Sequence, residues 1–382
     1  NPNKFVEDLS HYKGSIMKAG QMISQYGEYY LSEEVNSKLK LLHSSTHFIG
    51  FESIKDQLNA KHFAELKIVE KPLAAASIGQ VHEAVIIEPN TQVVLKIQYK
   101  GIENAIRGDM VFLKLLTSTV KVFPKGVDVT DVFSEIESVL KKEMDYIREA
   151  QIVEEYTQKL NDDFFYVPKV YKEYCTEKVL CFEKIEGEPL SNINSLNISQ
   201  TNKNKLGEKI FELFLREIFE FKMVQTDAHG GNYYIDASGE KLILLDFGAC
   251  LKFEDELILF YQNFFKFSFL QERENFFKTL SDFMERSGKY LEFDEDQLWD
   301  YIKLVSDPLR SESYDWKSTN IPNVLFEEGK KLRATLKFKS IPAQFIFLDR
   351  KVLGVFTLLR MIGSSVNMKK VFDGVVIKAV VD

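Results

Sequence analysis

Asp227 and Asn232 stand five residues apart in TDAHGGN, and Asp246 follows nineteen residues after Asp227 in LILLDFGA. A carboxylate and a side-chain amide offer hard oxygen ligands, the kind that Mg²⁺ selects. Such a pair needs an irregular backbone, and Gly230 and Gly231 provide it by making a regular helix unfavourable. Asp246 ends an apolar strand, so its carboxylate emerges from apolar surroundings. Lys96, in VVLK, lies on a strand just after a turn, where an ammonium reaches the α- and β-phosphates of a nucleotide. Each position alone has an ordinary explanation, a solvent-facing strand lysine or a strand-ending turn. In this order and at these intervals they point to a magnesium–nucleotide site.

The chain around them has 382 residues, 45% of them apolar and 28% charged, with a formal charge of −8 and a pI near 5.5. That balance provides no basic field for a phosphate backbone, so nucleic acid is not an expected partner. A nucleotide site must then draw its positive charge from a few placed lysines and from Mg²⁺. Cys175, Cys181 and Cys250 form no CxxC pair and read as small buried hydrophobes in an intracellular, reducing compartment. His43 and His47 have metal-pair spacing but no accompanying acids or thiols, which leaves a zinc site incomplete. No run approaches the roughly 20 apolar residues that span a bilayer. The chain opens on Asn1 and stops in VFDGVVIKAVVD without a polar tail, as an excised fragment would.

The elements that must carry these residues follow from periodicity. Lys4 to about Leu42 recurs at three- and four-residue steps, which predicts two helices, and a further helical stretch covers Phe51–Phe63. From Lys67 to Gly101 β-branched and polar residues alternate, predicting three antiparallel strands with EPNTQ as a turn. One long amphipathic helix is expected over 131–160, then strands near Pro168–Cys175 and Lys178–Ile185. Gly187 and Pro189 mark a hinge. A helix at about Lys203–Lys222, the strands YYID and KLILLDF, and mostly helix follow. The expected fold is α+β and bilobal: residues 1–65 a helical extension, 66–186 an antiparallel-sheet lobe, and 187–382 a mainly helical lobe.

A lysine on the third strand, a helix carrying an acid, a hinge, an Asp-to-Asn loop and Asp246-Phe247-Gly248 occur in the order of a protein kinase. Where a kinase keeps G-x-G-x-x-G-x-V, this chain has LAAASIGQV: Gly79 and Val81 match the end, and Ala74 and Ala76 replace the first two glycines. Each added Cβ restricts φ, which predicts a stiffer loop with altered phosphate geometry. The Ala-rich loop, Lys18-Ala19-Gly20-Gln21 matching a KxGQ motif, and EMDYIREA matching an ExD motif resemble the UbiB/ADCK family of atypical kinases. The resemblance runs from KAGQ to the tail containing FLDRKVLG. It implies a protein-kinase-like fold whose KxGQ helices cover the cleft that would admit a peptide. Lys18 would face Glu143 and Asp145, while Lys96 would pair with Glu149. On a straight helix, however, Glu143 lies roughly 200° from Asp145, so Lys18 would not meet both acids equally.

The resemblance further implies bound ATP or ADP with Mg²⁺. Asn232 and Asp246 would be the metal ligands, and Asp227, Lys96 and Glu149 the catalytic group. Ala74, Ala75, Ala76, Ser77, Gly79, Val81, Lys96, Glu183 and Ile185 would contact nucleotide, and Lys18, Gln21, Glu143 and Asp145 would regulate access. The family's loop usually reads Asp-Pro-His-Pro-Gly-Asn; both prolines are missing from Asp227–Asn232, which predicts a more mobile unliganded loop and weaker metal affinity. After Gly248 the chain has no A-P-E and returns directly to helical periodicity, which argues against phosphorylation of a protein in trans. Three functions stay open. The first is an ATPase or small-molecule kinase supporting ubiquinone or other isoprenoid lipid biosynthesis. The second is a nucleotide-switched lipid- or protein-binding scaffold, and the third is a protein kinase. Isoprenoid lipid or quinone precursor, a peripheral membrane surface and a biosynthetic protein complex are the implied partners.

Overall fold

The computed structural model describes residues 48–76, 78–104, 106–108, 110, 111, 114, 129–287, 291–335, 337, 338 and 343–381. The segment with Lys18, Gln21, His43 and His47, and also Ser77, lies outside the described residues. The chain divides into two compact units. One holds the residues up to Glu155 together with Pro168–Ile185, and the other holds Tyr156–Val167 together with Glu186 onward.

In the first unit, β1 (Leu66–Ala75), β2 (Gly79–Ile86), β3 (Thr91–Gln98) and β5 (Val179–Glu183) form an antiparallel sheet in the order β1-β2-β3-β5. Asn90 closes the β2–β3 turn at φ 68°, a conformation that Asn tolerates better than most residues. Strand alternation sends Ala84, Ile86, Val93, Leu95, Ile97, Val179 and Cys181 to one face, where they pack with Ile54 and Leu58. Helix α1 (Ala60–Glu65) starts at a reciprocal cap: Asn59 accepts from the His62 N–H at 3.1 Å, and His62 Nδ1 accepts from the Asn59 N–H at 3.0 Å. His62 Nε2 therefore carries the proton and donates to the Tyr174 carbonyl at 2.9 Å.

Two sequence expectations are corrected here. The long helix over 131–160 is two helices, α2 (Val129–Glu143) and α3 (Tyr146–Lys159). Asp145 causes the break, because its carboxylate caps α3 by accepting from the Arg148 N–H at 2.9 Å. The buried Gln98 amide donates to the freed Met144 carbonyl at 2.6 Å and ties the break to β3. The 200° separation of Glu143 and Asp145 assumed an unbroken helix and no longer applies. The strand expected near Pro168–Cys175 reduces to a bridge between Val170 and Phe182, followed by a 3-10 turn at Lys172–Tyr174. Pro168 has no N–H to extend the ladder, and Tyr174 and Cys175 donate back to Tyr171 and Lys172 instead.

In the second unit, β4 (Phe165–Tyr166), β6 (Glu188–Pro189), β8 (Tyr233–Ile235) and β9 (Leu242–Leu244) form a small sheet in the order β4-β9-β8-β6. Helix α4 (Gln200–Arg216), capped by Ser199, runs into a π turn at Glu217–Phe221 that ends on Lys222 at φ 53°. β7 (Met223–Gln225) then pairs with β10 (Cys250–Lys252). Helices α5 (Asp255–Leu270), α6 (Arg273–Arg286), α7 (Glu295–Ser306), α8 (Ile321–Thr335), α9 (Ala343–Ile362) and α10 (Met368–Val381) complete it. Phe260 with Phe283 and Phe264 with Phe276 join α5 to α6 through tilted ring contacts 4.3 and 4.7 Å apart. Among the described residues no helix is long and apolar enough to cross a membrane.

A buried polar pair in the first sheet yields a pH prediction. His82 Nδ1 donates to the Val69 carbonyl at 2.8 Å, which leaves Nε2 to accept from the Gln80 amide at 2.8 Å. Burial pushes the His82 imidazole below its ordinary range, against the pull of the Val69 carbonyl. The unfolded chain therefore takes up a proton near pH ~6.5 that the folded chain refuses, and stability falls as pH drops through that value, by up to about 1.4 kcal/mol per unit. Urea midpoints at neutral and mildly acidic pH should show this slope in the parent and a flatter one in His82→Gln.

Candidate nucleotide and metal site

Lys96 is placed by the register of three strands. Val81 and Leu180 pair with it across β2 and β5, and Ala74 pairs with Val81, so these four residues share one sheet face. Lys96 Nζ bridges both carboxylate oxygens of Glu149, at 2.9 and 3.1 Å, and lies 5.2 Å from the Tyr146 ring centroid. Tyr146 and Glu149 are three residues apart and face the same way because α3 restarts at Tyr146. The lysine side chain is 11% exposed and the glutamate 4%, so the charges answer each other with little help from water.

The Ala-rich turn is closed by its own hydrogen bond, from the Ala76 N–H to the Gly79 carbonyl at 2.9 Å. A Cβ on Gly79 would lie 2.2 Å from the Ile97 carbonyl oxygen, so glycine is required there by the approach of β3. Ala75 pairs with Gln80 and Glu183 with Val93, on the face opposite Lys96. The Glu183 carboxylate instead accepts from the Lys169 N–H at 3.3 Å. Ile185 is half-buried at the last position of the first unit. Asp145 is occupied as the cap of α3, and Glu143 ends α2.

In the second unit, Asn232 precedes β8 and Asp246 follows β9. Tyr233 pairs with Leu244, and the Leu245 N–H donates to the Asn232 carbonyl at 2.9 Å, so the two ligand candidates occupy adjacent strand ends. Asn232 Nδ2 donates to the Asp227 carboxylate and to its carbonyl, both at 3.1 Å. This fixes the amide so that its oxygen is the atom left to face a ligand. Asp246 adopts φ 57°, the left-handed region, and its carboxylate accepts from the Gly248 N–H at 3.2 Å. Strain of that kind persists where surrounding structure enforces it. Among the described residues no group of three or more His, Cys, Asp or Glu could hold a metal ion, so these residues offer no all-protein metal cage. An amide oxygen and a carboxylate nevertheless fit Mg²⁺, which commonly takes one or two protein oxygens and completes its shell with phosphates and water.

Sequence reasoning missed the supports of this loop. The side-chain amide of Gln225, on β7, donates to the carbonyls of Asp227 at 3.0 Å and Asp246 at 3.4 Å. The Thr226 hydroxyl donates to the Ala249 carbonyl at 2.8 Å. Helix α9 backs the loop: Arg350 lies 3.5 Å from the Asp227 carboxylate, and a Cβ on Gly354 would meet Ala228 at 2.8 Å. The readable signal was the charged run Asp349-Arg350-Lys351 between apolar residues in FLDRKVLG, since charges on such a helix need partners.

A family model described as ABC1 atypical kinase-like domain matches residues 43–280. The chain is 29% identical to "Atypical kinase COQ8, mitochondrial" of Saccharomyces cerevisiae over 97% of its own length and 75% of that protein. It is 28% identical to "Atypical kinase COQ8B, mitochondrial" of Rattus norvegicus over 98% of its length and 71% of that protein. A solved structure titled "The complex structure of Rv3197-erythromycin from Mycobacterium tuberculosis" superposes with TM-score 0.66 at 23% identity, covering 98% of this chain and 95% of that one. That likeness shows a shared fold.

The Lys96–Glu149 pair predicts a thermodynamic signature. Glu149→Leu alone should cost about 3–5 kcal/mol by removing the carboxylate set against a buried ammonium, and Lys96→Met with Glu149→Leu should recover most of it. Urea unfolding of the three proteins measures the difference.

Proposed function

The chain belongs to the ABC1 atypical kinase-like family, whose kinase-like fold it shares, and from that premise we propose that it is a Mg²⁺-dependent ATPase of the UbiB/ADCK type. The two-oxygen bridge from Glu149 to Lys96 carries this most directly, because an ammonium held at a fixed point on a sheet face suits the α- and β-phosphates of ATP. Asn232 and Asp246 supply hard oxygens for Mg²⁺, which when bound neutralises charge on the phosphates. Asp227 accepts the proton of an attacking water while the new bond to the γ-phosphorus forms and the bond to the β–γ bridging oxygen breaks, giving ADP and phosphate. Its carboxylate, 46% exposed and steered by Asn232 and Arg350, is accessible and oriented for that role.

From the UbiB/ADCK resemblance the proposal extends to support of ubiquinone or other isoprenoid lipid biosynthesis at a membrane surface within a protein complex, and the names of the relatives, mitochondrial atypical kinases, support the kinase-like part of it. Retention of Asp227 favours turnover over a nucleotide-switched scaffold, since a binder has no use for a base.

Two measurements test it. ATP should raise the melting temperature only with Mg²⁺, and Asp246→Asn should abolish that shift. ATP hydrolysis should be measurable and should rise with liposomes and an isoprenoid quinone precursor analogue. An Mg²⁺-dependent shift with no hydrolysis under either condition would leave the scaffold as the function. An unchanged shift in Asp246→Asn would remove the metal assignment.

A further inference from the structure

Lys351 and Glu217 have no part in the chemistry above, yet each is only 1% exposed and their charges meet at 2.8 Å. Lys351 lies on α9, and Glu217 opens the π turn after α4. An ion pair so deep is a weak source of stability, because desolvation offsets most of the attraction. What it does here follows from its other contacts. The Glu217 carboxylate accepts from the Tyr156 hydroxyl at 2.7 Å and from the main-chain N–H of Gln225 at 3.3 Å. Lys351 donates to the Tyr233 hydroxyl at 3.4 Å, and that hydroxyl donates to Gln225 Oε1 at 3.5 Å.

The direction of this chain is forced. An ammonium only donates, so the Tyr233 oxygen accepts from Lys351 and its proton turns to Gln225. The Gln225 oxygen is thereby taken, and its NH₂ is left for the carbonyls of Asp227 and Asp246. Burial works against the Lys351 ammonium, but Glu217 and Tyr233 outweigh it and lift Lys351 above its ordinary range. The adjoining cavity, lined by Tyr156, Glu217, Gln225, Tyr233 and Phe247 among others, has a volume of about 10 Å³ and admits no ligand larger than water. The network is therefore a brace and not a second binding pocket.

We propose that Gln225 is a positioning residue: held at its main chain by Glu217 and at its side chain by Lys351 through Tyr233, it sets the spacing between the backbones of Asp227 and Asp246. Its effect on metal binding rests on the ATPase reading; its effect on the two loops does not. Gln225→Glu keeps the shape but aims a carboxylate oxygen at two carbonyls, and Tyr233→Phe removes only the relay. The test uses the full chain in both variants, so that one remains informative if the other does not fold.

Hydrogen exchange of the ligand-free protein comes first. Peptides covering 226–232 and 245–250 should exchange at least tenfold faster in Gln225→Glu, and less so in Tyr233→Phe, while α5 and α6 exchange as in the parent. Unchanged exchange in both loops overturns the proposal. The Mg²⁺ concentration giving half of the ATP-induced thermal shift should then rise at least fivefold, which a general loss of stability would not produce. A parent that responds to Mg²⁺ and ATP with variants needing no more Mg²⁺ also overturns it. Faster loop exchange in a protein whose parent shows no Mg²⁺-dependent shift would uphold the brace and sink the ATPase reading instead.

Discussion

A lysine ammonium with almost no water around it must have an anion fixed against it, and Glu149 meets that demand for Lys96. The requirement propagates through the first unit. Glu149 reaches the sheet because α3 starts afresh at Tyr146, and α3 starts there because Asp145 caps it. The Gln98 amide holds the intervening Met144 carbonyl to the strand that carries Lys96. One ion pair thus depends on a helix break that Asp145 makes by capping α3, and on the strand register that places Lys96.

The second unit meets an analogous problem with backbone atoms. The segment Asp227–Asn232 has alanine and glycine at its second and fourth positions and contains no proline. Its main chain is tied from several sides instead: Gln225 holds the Asp227 carbonyl, Ser191 donates to the Gly230 carbonyl at 3.3 Å, and Leu245 donates to Asn232. α9 closes against it at Gly354, where a side chain would strike Ala228. Proline restrains a loop through the chain's own φ angle, whereas these contacts restrain it from outside.

The alanine-rich turn shows how one motif position can have two causes. Gly79 matches the last glycine of a phosphate-binding pattern, yet the Ile97 carbonyl alone would forbid a side chain there. Ala74 and Val81 keep the face of Lys96, while Ala75 and Glu183 fall on the other face through the strict two-residue period of a strand. A list of motif residues does not make that distinction; register does.

Sequence alone determined the order and type of the chemical groups: Lys96 on the third strand, the acid of α3, Asp227 with Asn232, and Asp246 after an apolar strand. These were legible because strand alternation, helical periodicity and glycine placement act over a few neighbouring residues. Tertiary structure alone decided the hold of Gln98 on the break at Asp145 and the brace that joins Lys351 and Glu217 to Gln225. Those outcomes turn on buried polar groups finding partners far along the chain, as Lys351 finds Tyr233 across 118 residues. Local pattern carries no record of such a partner, because the cost of leaving a buried charge or carbonyl unsatisfied arises only once the chain has closed around it.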